Sequence, residues 1–148
     1  MSRLRLTGGT IAALGATAAL AVPAAAVAAP TVKRIDTSQK GNKVTVTVKT
    51  KGFMVDAKDV GGKPMSGHGH EHFQMDGGKY DFPKYSGANG KLAVQLGVQG
   101  KYSPTVTNAV TYKGLSKGTH KVTVFLVKND HSNYTNMGAK KTIRFRVK

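Results

Sequence analysis

The chain has 148 residues, no cysteine, no tryptophan and a formal net charge of +16. The lack of cysteine excludes disulfides, thiolate metal sites, iron–sulfur clusters and thiol nucleophiles. The lysines are spread evenly, without the arginine clusters or stacking aromatics of nucleic-acid readers, so no specific nucleic acid is expected. Two readings of the charge remain open: a solvated surface that blocks edge-to-edge strand pairing, or binding to an anionic cell-wall polymer or polysaccharide.

The N-terminus has the three parts of a secretory signal peptide. Two arginines precede an uncharged apolar run at residues 11–22, and Ala26 and Ala28 supply the small residues wanted before a cleavage site. The run is shorter than the roughly 20 residues of a spanning helix. We predict a cleaved signal peptide at residues 1–28. The remaining residues 29–148 are then one secreted or cell-wall-associated domain without a transmembrane span.

Alternation of apolar and polar residues with a period of two dominates this domain, and no long helical period appears. Turn residues rich in Gly, Asn, Asp and Ser separate the alternating segments. We predict an immunoglobulin-like antiparallel β-sandwich of seven or eight strands, although the Cys…Trp…Cys mark of true immunoglobulin domains is missing. The predicted strands are residues 32–36, 43–50, 70–75, 91–98, 106–112, 121–127 and 141–147, with 80–82 as a candidate eighth.

All five histidines lie in two places. His68, His70 and His72 alternate within one segment, His120 opens the predicted strand 121–127, and His131 follows its end. Residues two apart on a strand project from the same face, so their imidazoles can converge on one ion. A metal–nitrogen bond of about 2.0 Å is compatible with such a pair. Imidazole suits copper and zinc, and we expect copper first and zinc next.

The spacing also raises difficulties. Glu71 shares a strand face with Phe73, which belongs in the core, so we infer that the regular strand starts near His72 and that residues 66–71 form the rim. His120 and His131 lie at opposite ends of one strand, more than roughly 30 Å apart if it is extended. A site using all five histidines is therefore not expected. The two meet the first cluster together only if the loop 129–138 folds back.

We predict His70 and His72 as the main ligands, His68 as an assisting one, and His120 or His131 as the third. Acidic side chains could ligate the ion or hold the second ring nitrogen of a ligand; these are Glu71, Asp76 and Asp130. Three alternatives stay open: His120 as a hydrogen-bonded rim histidine, the Asp130–His131 pair as a turn clamp, and a pH-sensing cluster.

Two segments carry a resemblance. The sequences GHGHEHFQMDG at residues 67–77 and LSKGTHKVTVFLVKNDHS at residues 115–132 are similar to those of a family of small exported bacterial domains of unknown function. The resemblance covers about residues 52–147 and implies a β-sandwich and export, with no established activity. The His-x-His strand is also similar to that of the copper–zinc superoxide dismutases. That match ends at His72, without a bridging histidine or disulfide cysteines, and no dismutase activity is expected.

Catalysis has no support in the sequence. A Gly-x-Ser-x-Gly elbow is absent, and the seven acidic residues form no evident catalytic pair. We therefore predict a non-enzymatic exported binding domain.

Overall fold

The computed structural model describes residues 28–148. The predicted signal peptide, residues 1–28, lies outside this part of the chain except for Ala28. Within the described residues, no helix combines the length and the apolar character needed to cross a bilayer. The strands are β1 (Thr31–Lys40), β2 (Lys43–Lys51), β3 (Met54–Val55), β4 (His68–Met75), β5 (Ser103–Thr105), β6 (Ala109–Lys113), β7 (Gly118–Val127) and β8 (Lys140–Val147). One α-helix, α1, spans Gly87–Gln95, and short 3-10 helices span Asp76–Gly78 and Met137–Ala139.

The strands form two sheets, which confirms the predicted all-β sandwich. One sheet has the order β1-β2-β6, and the other has the order β3-β4-β7-β8, with β5 also paired to β4. All pairings are antiparallel except the parallel pair of β3 and β4. The finer immunoglobulin-like assignment stays a prediction.

The core lies between the two sheets and follows the alternation in the sequence. Val44, Val46 and Val48 point inward from β2, and every second residue of β7 meets them from the facing sheet. Phe73 and Met75 of β4 join this core and have no exposed surface. Burying such side chains contributes about 1.5–3 kcal/mol each, and this has to stabilise a domain without disulfides.

The predicted strand at residues 91–98 is wrong, because this segment contains most of α1 and its C-terminal cap. Within it, only Ala93 is buried, whereas Val94 and Leu96 are largely exposed. The helix ends in a Schellman motif: the amide of Gly97 donates to Val94, and that of Val98 donates to Ala93. Gly97 takes the positive φ of 64° that this cap needs. A helix that buries one small residue leaves no helical period in the sequence.

Two further strand predictions need correction. The strand predicted at 106–112 begins only at Ala109, as β6, after a turn at Asn108 whose φ is +55°. A separate short strand, β5, precedes this segment and pairs with β4 of one sheet, whereas β6 pairs with β2 of the other. Residues 80–82 form no strand; instead the Asp81 carboxylate holds this segment in place by accepting hydrogen bonds from the Met75 amide and two hydroxyl groups.

Candidate metal centre

Strand β4 is buried on both faces. The inference that its regular part starts near His72 is wrong, since the strand begins at His68 and pairs with β7 from His70 onward. Phe73 and Met75 face the sandwich core, so His70 and His72 point from the opposite face, where 1% and 2% of their surfaces are exposed.

A second layer covers this outer face. The ring of Tyr102 stacks on His72 at a centroid distance of 5.3 Å, and the ring of Tyr85 lies 6.0 Å from His72. His131 completes the cover, with its ring 4.6 Å from that of His70. These aromatic groups make a small second core around the two strand histidines.

Three imidazoles meet in this layer, which we call the histidine cluster: His70, His72 and His131. The Nε2 atoms of His70 and His72 are 3.0 Å apart, and the rings of His72 and His131 are 5.5 Å apart. One ring nitrogen from each residue lies within 4.8 Å of the others. All three residues are buried.

A tight turn after β7 folds the loop 129–138 back toward β4 and brings His131 to the cluster. The Lys128 amide donates to the carbonyl of Ser132, and the His131 amide donates to the carbonyl of Lys128. The Asp130 carboxylate accepts bonds from the amide and the hydroxyl of Ser132. His131 itself has a φ of +64°, an uncommon conformation for a residue with a side chain. The clamped turn therefore directs the ring back over β4.

Gly69 makes the close contact between β4 and β7 possible. A Cβ atom at this position would lie 1.8 Å from the carbonyl oxygen of Val127, and the φ of Gly69 is +155°. Only glycine fits this approach, which sets His70 beside the end of β7.

The cluster is uncharged at neutral pH. Burial, together with a smaller effect of the neighbouring His131, lowers the pKa of His70 to about 3. Burial also lowers the pKa of His72 well below 6.5, with additional effects from both other histidines. Burial lowers the pKa of His131, although the Asp130 charge opposes this. Each neutral ring keeps one nitrogen lone pair that can bind a metal without displacing a proton.

The hydrogen bonds of the cluster are incomplete. Both ring nitrogens of His131 and the Nδ1 atom of His70 are buried without a partner among the described residues. Buried polar atoms of this kind normally find partners, because leaving one unpaired costs about 1–3 kcal/mol. The donor set therefore fits an ion. Two metal–nitrogen bonds of about 2.1 Å span at most about 4.2 Å, so the short His70–His72 contact already suits a shared ion, and wider contacts would have to close.

The structure places His120 away from the cluster. Its Nδ1 atom is 2.6 Å from Asp76, and its Nε2 atom is 2.7 Å from the carbonyl oxygen of Ser116. Burial opposes protonation, but these two bonds raise the pKa of His120 overall. Asp76 also accepts a bond from the amide of Lys121. The Asp76–His120 pair thus ties the end of β4 to the start of β7.

His68 also lies outside the cluster. It is partly exposed, and its Nδ1 atom is 3.5 Å from the Asp56 carboxylate. Of the acids predicted near the ligands, Asp130 clamps the turn rather than a ring nitrogen.

Glu71 is buried, contrary to the prediction. We expected it in water at the rim, but it lies on the core face, paired with Leu126 on one side and Thr105 on the other. It has no exposed surface, and both carboxylate oxygens lack partners among the described residues. Burial raises its pKa to about 8, so it is mostly protonated at neutral pH. The expectation failed because β4 is already regular here and is covered on both edges.

Two site residues were not predicted from the sequence, Tyr85 and Tyr102. The Tyr85 hydroxyl lies 3.3 Å from Nε2 of His72, and burial raises the pKa of this phenol. Both tyrosines flank α1 and lie outside every predicted strand, so no pattern in the sequence indicates their partner. A cavity of about 210 Å³ adjoins the cluster, with His70, Lys84 and Asn89 among its walls.

Comparison of the sequence with protein-family models, with curated proteins and with solved structures found no match. The resemblance to small exported domains therefore stays a prediction, carried by the two segments quoted above.

Proposed function

We propose that this protein is an exported, non-enzymatic domain that binds one copper or zinc ion through His70, His72 and His131. A single observation carries the proposal: three buried, neutral imidazoles from two distant segments place one nitrogen each within 4.8 Å of the others. The order of charged, apolar and small residues at the N-terminus supports export.

The unpaired nitrogens favour an ion over a purely structural cluster. Three neutral imidazoles that only stabilise the fold would use their ring nitrogens in hydrogen bonds to nearby groups. Here the His70–His72 contact uses one nitrogen of each ring, and both nitrogens of His131 stay unpaired. An ion would satisfy one nitrogen on each ring. The adjoining cavity beside His70 offers a route from solvent.

Calorimetric titration of the purified protein with Cu(II) and with Zn(II) tests the proposal. We expect one ion per chain with a Kd tighter than about 1 μM, which corresponds to about 8 kcal/mol. His70→Ala and His131→Ala should each abolish this binding. His68→Ala is the matched control, because it removes an imidazole from the same strand but outside the cluster.

The outcome is decisive if folding is checked by circular dichroism for each variant. Absence of binding tighter than about 100 μM in the folded wild-type protein overturns the proposal. Full binding in folded His131→Ala would move the site elsewhere.

A second function is favoured by a separate surface, the basic stripe of Lys121, Arg144 and Arg146. Lys121 and Arg144 are direct cross-strand partners, and Arg146 follows on the same face of β8. Like charges directly opposite each other are destabilising. An anionic polymer lying along β7 and β8 would offset this cost, so we propose a cell-wall polymer or acidic polysaccharide as its partner.

Retention on a column of immobilised anionic polysaccharide tests this function. Replacing all three stripe residues with alanine should lower the salt concentration needed for elution more than the same change at Lys58, Lys63 and Lys91, which are dispersed and exposed. Equal shifts for both triple variants would leave net charge as the only cause and contradict a dedicated surface.

A further inference from the structure

We propose that the phenol oxygen of Tyr85 is the fourth donor of the proposed centre, and that the ion held there is Cu(II). This inference rests on the proposed metal-binding function and specifies its donor set.

The donor atoms converge. The Tyr85 oxygen is 3.3 Å from Nε2 of His72, which is itself 3.0 Å from Nε2 of His70. The Tyr85 ring also lies 5.4 Å from the ring of His131. The hydroxyl therefore lies on the side of His72 where an ion shared with His70 would bind. Distances near 3 Å between donor atoms are those expected around a small ion with bonds of about 2 Å.

The start of α1 holds Tyr85 in this place. Ser86 is the N-cap residue of α1, and its carbonyl accepts a bond from the amide of Gly90. A Cβ atom on Gly90 would come within 3.3 Å of the carbonyl carbon of Tyr85, so the helix packs tightly on the tyrosine backbone. The helix thus has a defined task in an otherwise all-β domain, which is to fix the phenol over the histidine cluster.

The donor set favours Cu(II). Three imidazole nitrogens and one phenol oxygen are donors that Cu(II) accepts in tetragonal geometry, whereas Cu(I) favours thioethers. The methionines that could supply sulfur are placed elsewhere: Met75 points into the core on the opposite face of β4, and Met65 is exposed in the turn before it. On binding, the Tyr85 O–H bond breaks, its proton passes to solvent, and the oxygen bonds to the ion without any change of oxidation state.

Visible absorption and resonance Raman spectra of the Cu(II)-loaded protein test this inference. We expect a phenolate-to-copper charge-transfer band with phenolate vibrations in the wild-type protein. Tyr85→Phe should lose the band, keep one copper per chain and bind it at least about tenfold more weakly. Tyr102→Phe is the matched control, because Tyr102 touches His72 by ring stacking. It should keep the band.

The possible failures are distinguishable. Copper binding without the band in the wild-type protein, or a band that persists in Tyr85→Phe, overturns the role of Tyr85 and leaves the three-histidine centre standing. Absence of copper binding in the wild-type protein overturns both. Thermal unfolding of the metal-free variants shows whether each remains folded, and a double variant Tyr85→Phe with Tyr102→Phe should match the single Tyr85 change in its spectrum.

Discussion

The Nε2 atoms of His70 and His72 are 3.0 Å apart, although Cα atoms two residues apart on a strand are separated by roughly 6.5–7 Å. The two rings therefore lean toward each other, and the layer of Tyr85, Tyr102 and His131 holds them in that position. Since both rings are neutral, one donates and the other accepts. The two nitrogens are already close enough to share one ion, and the donating ring has to move its proton to Nδ1 to free the lone pair of its Nε2 atom.

Metal binding should depend little on pH in the acidic range. A protonated imidazole cannot bind a metal, and an ordinary histidine with a pKa of about 6.5 loses about 25-fold in available ligand between pH 7 and pH 5. Burial lowers the pKa of His70 to about 3, and the pKa values of the other two cluster histidines are also lowered. We expect the Zn(II) affinity to fall less than about tenfold over this range.

The measurement is best made by competition with a chelator in the Tyr85→Phe variant, because a bound phenolate would add a proton dependence of its own. A loss of more than about a thousandfold between pH 7 and pH 5 would mean that the histidines titrate like exposed ones.

Replacing Gly69 by alanine should damage both stability and binding. The added Cβ would collide with the carbonyl of Val127 and force β4 away from β7. We expect a loss of about 3 kcal/mol or more in the free energy of unfolding, together with a loss of metal affinity. Gly41→Ala is the control: Gly41 also has a positive φ, but its Cβ would meet nothing within 4 Å, so only about 1–2 kcal/mol should be lost. Urea unfolding measures the loss of stability in both variants. Equal losses would show that the Val127 contact relaxes easily.

Replacing Asp130 by alanine should weaken metal binding without removing a ligand. Asp130 holds the turn through two hydrogen bonds to Ser132, so its loss frees His131 to leave the cluster. We expect about 10–100-fold lower affinity and about 1–3 kcal/mol lower stability. Asp36→Ala removes an exposed carboxylate on β1 and serves as the charge control. If the two variants bind equally well in calorimetry, the turn holds His131 without the clamp.

Replacing Glu71 by glutamine should change how the metal-free protein responds to pH. Burial raises the pKa of Glu71 from 4.5 to about 8, so the folded chain keeps a proton that the unfolded chain releases. This contribution to stability is complete below pH 4.5 and is lost as the pH rises toward 8, at about 1.4 kcal/mol per unit. Glutamine cannot ionise, so Glu71→Gln should gain about 2–4 kcal/mol on the wild-type protein between pH 5 and pH 8.

Urea unfolding at several pH values makes this comparison, and the histidines cancel because both proteins carry them. Parallel stability curves would show that Glu71 titrates normally.

Much of the sandwich follows from the sequence alone. The alternation at residues 43–50, 121–127 and 141–147 predicted three strands within three residues of their observed bounds. Residues 91–98 misled because Leu92, Val94 and Leu96 alternate as a strand would, although they belong to α1 and its C-terminal cap. Burial through Ala93 alone gives no periodic signal, and the Gly97 cap was the only local indication of a helix.

Only the part of the site that depends on local strand geometry could be predicted from the sequence. The spacing of His70 and His72 requires no knowledge of the rest of the fold, because every second residue of a strand shares a face. His131 depends on the direction in which a turn folds, which rests on a left-handed backbone conformation at a residue that is not glycine. The position of Tyr85 is set by α1. Because that segment was predicted as a strand, the contact of Tyr85 with the cluster could not be predicted.

The histidine cluster joins two parts of the chain roughly 60 residues apart, the start of β4 and the turn after β7. The chain has no cysteine, so an ion bound here would supply a cross-link that disulfides cannot. An ion held there would be a reversible cross-link, which forms when metal binds and is removed by a chelator rather than by reduction. Its strength would then follow the free metal concentration around the protein and would be the same in a reducing medium as in an oxidising one, as long as the ion keeps its oxidation state.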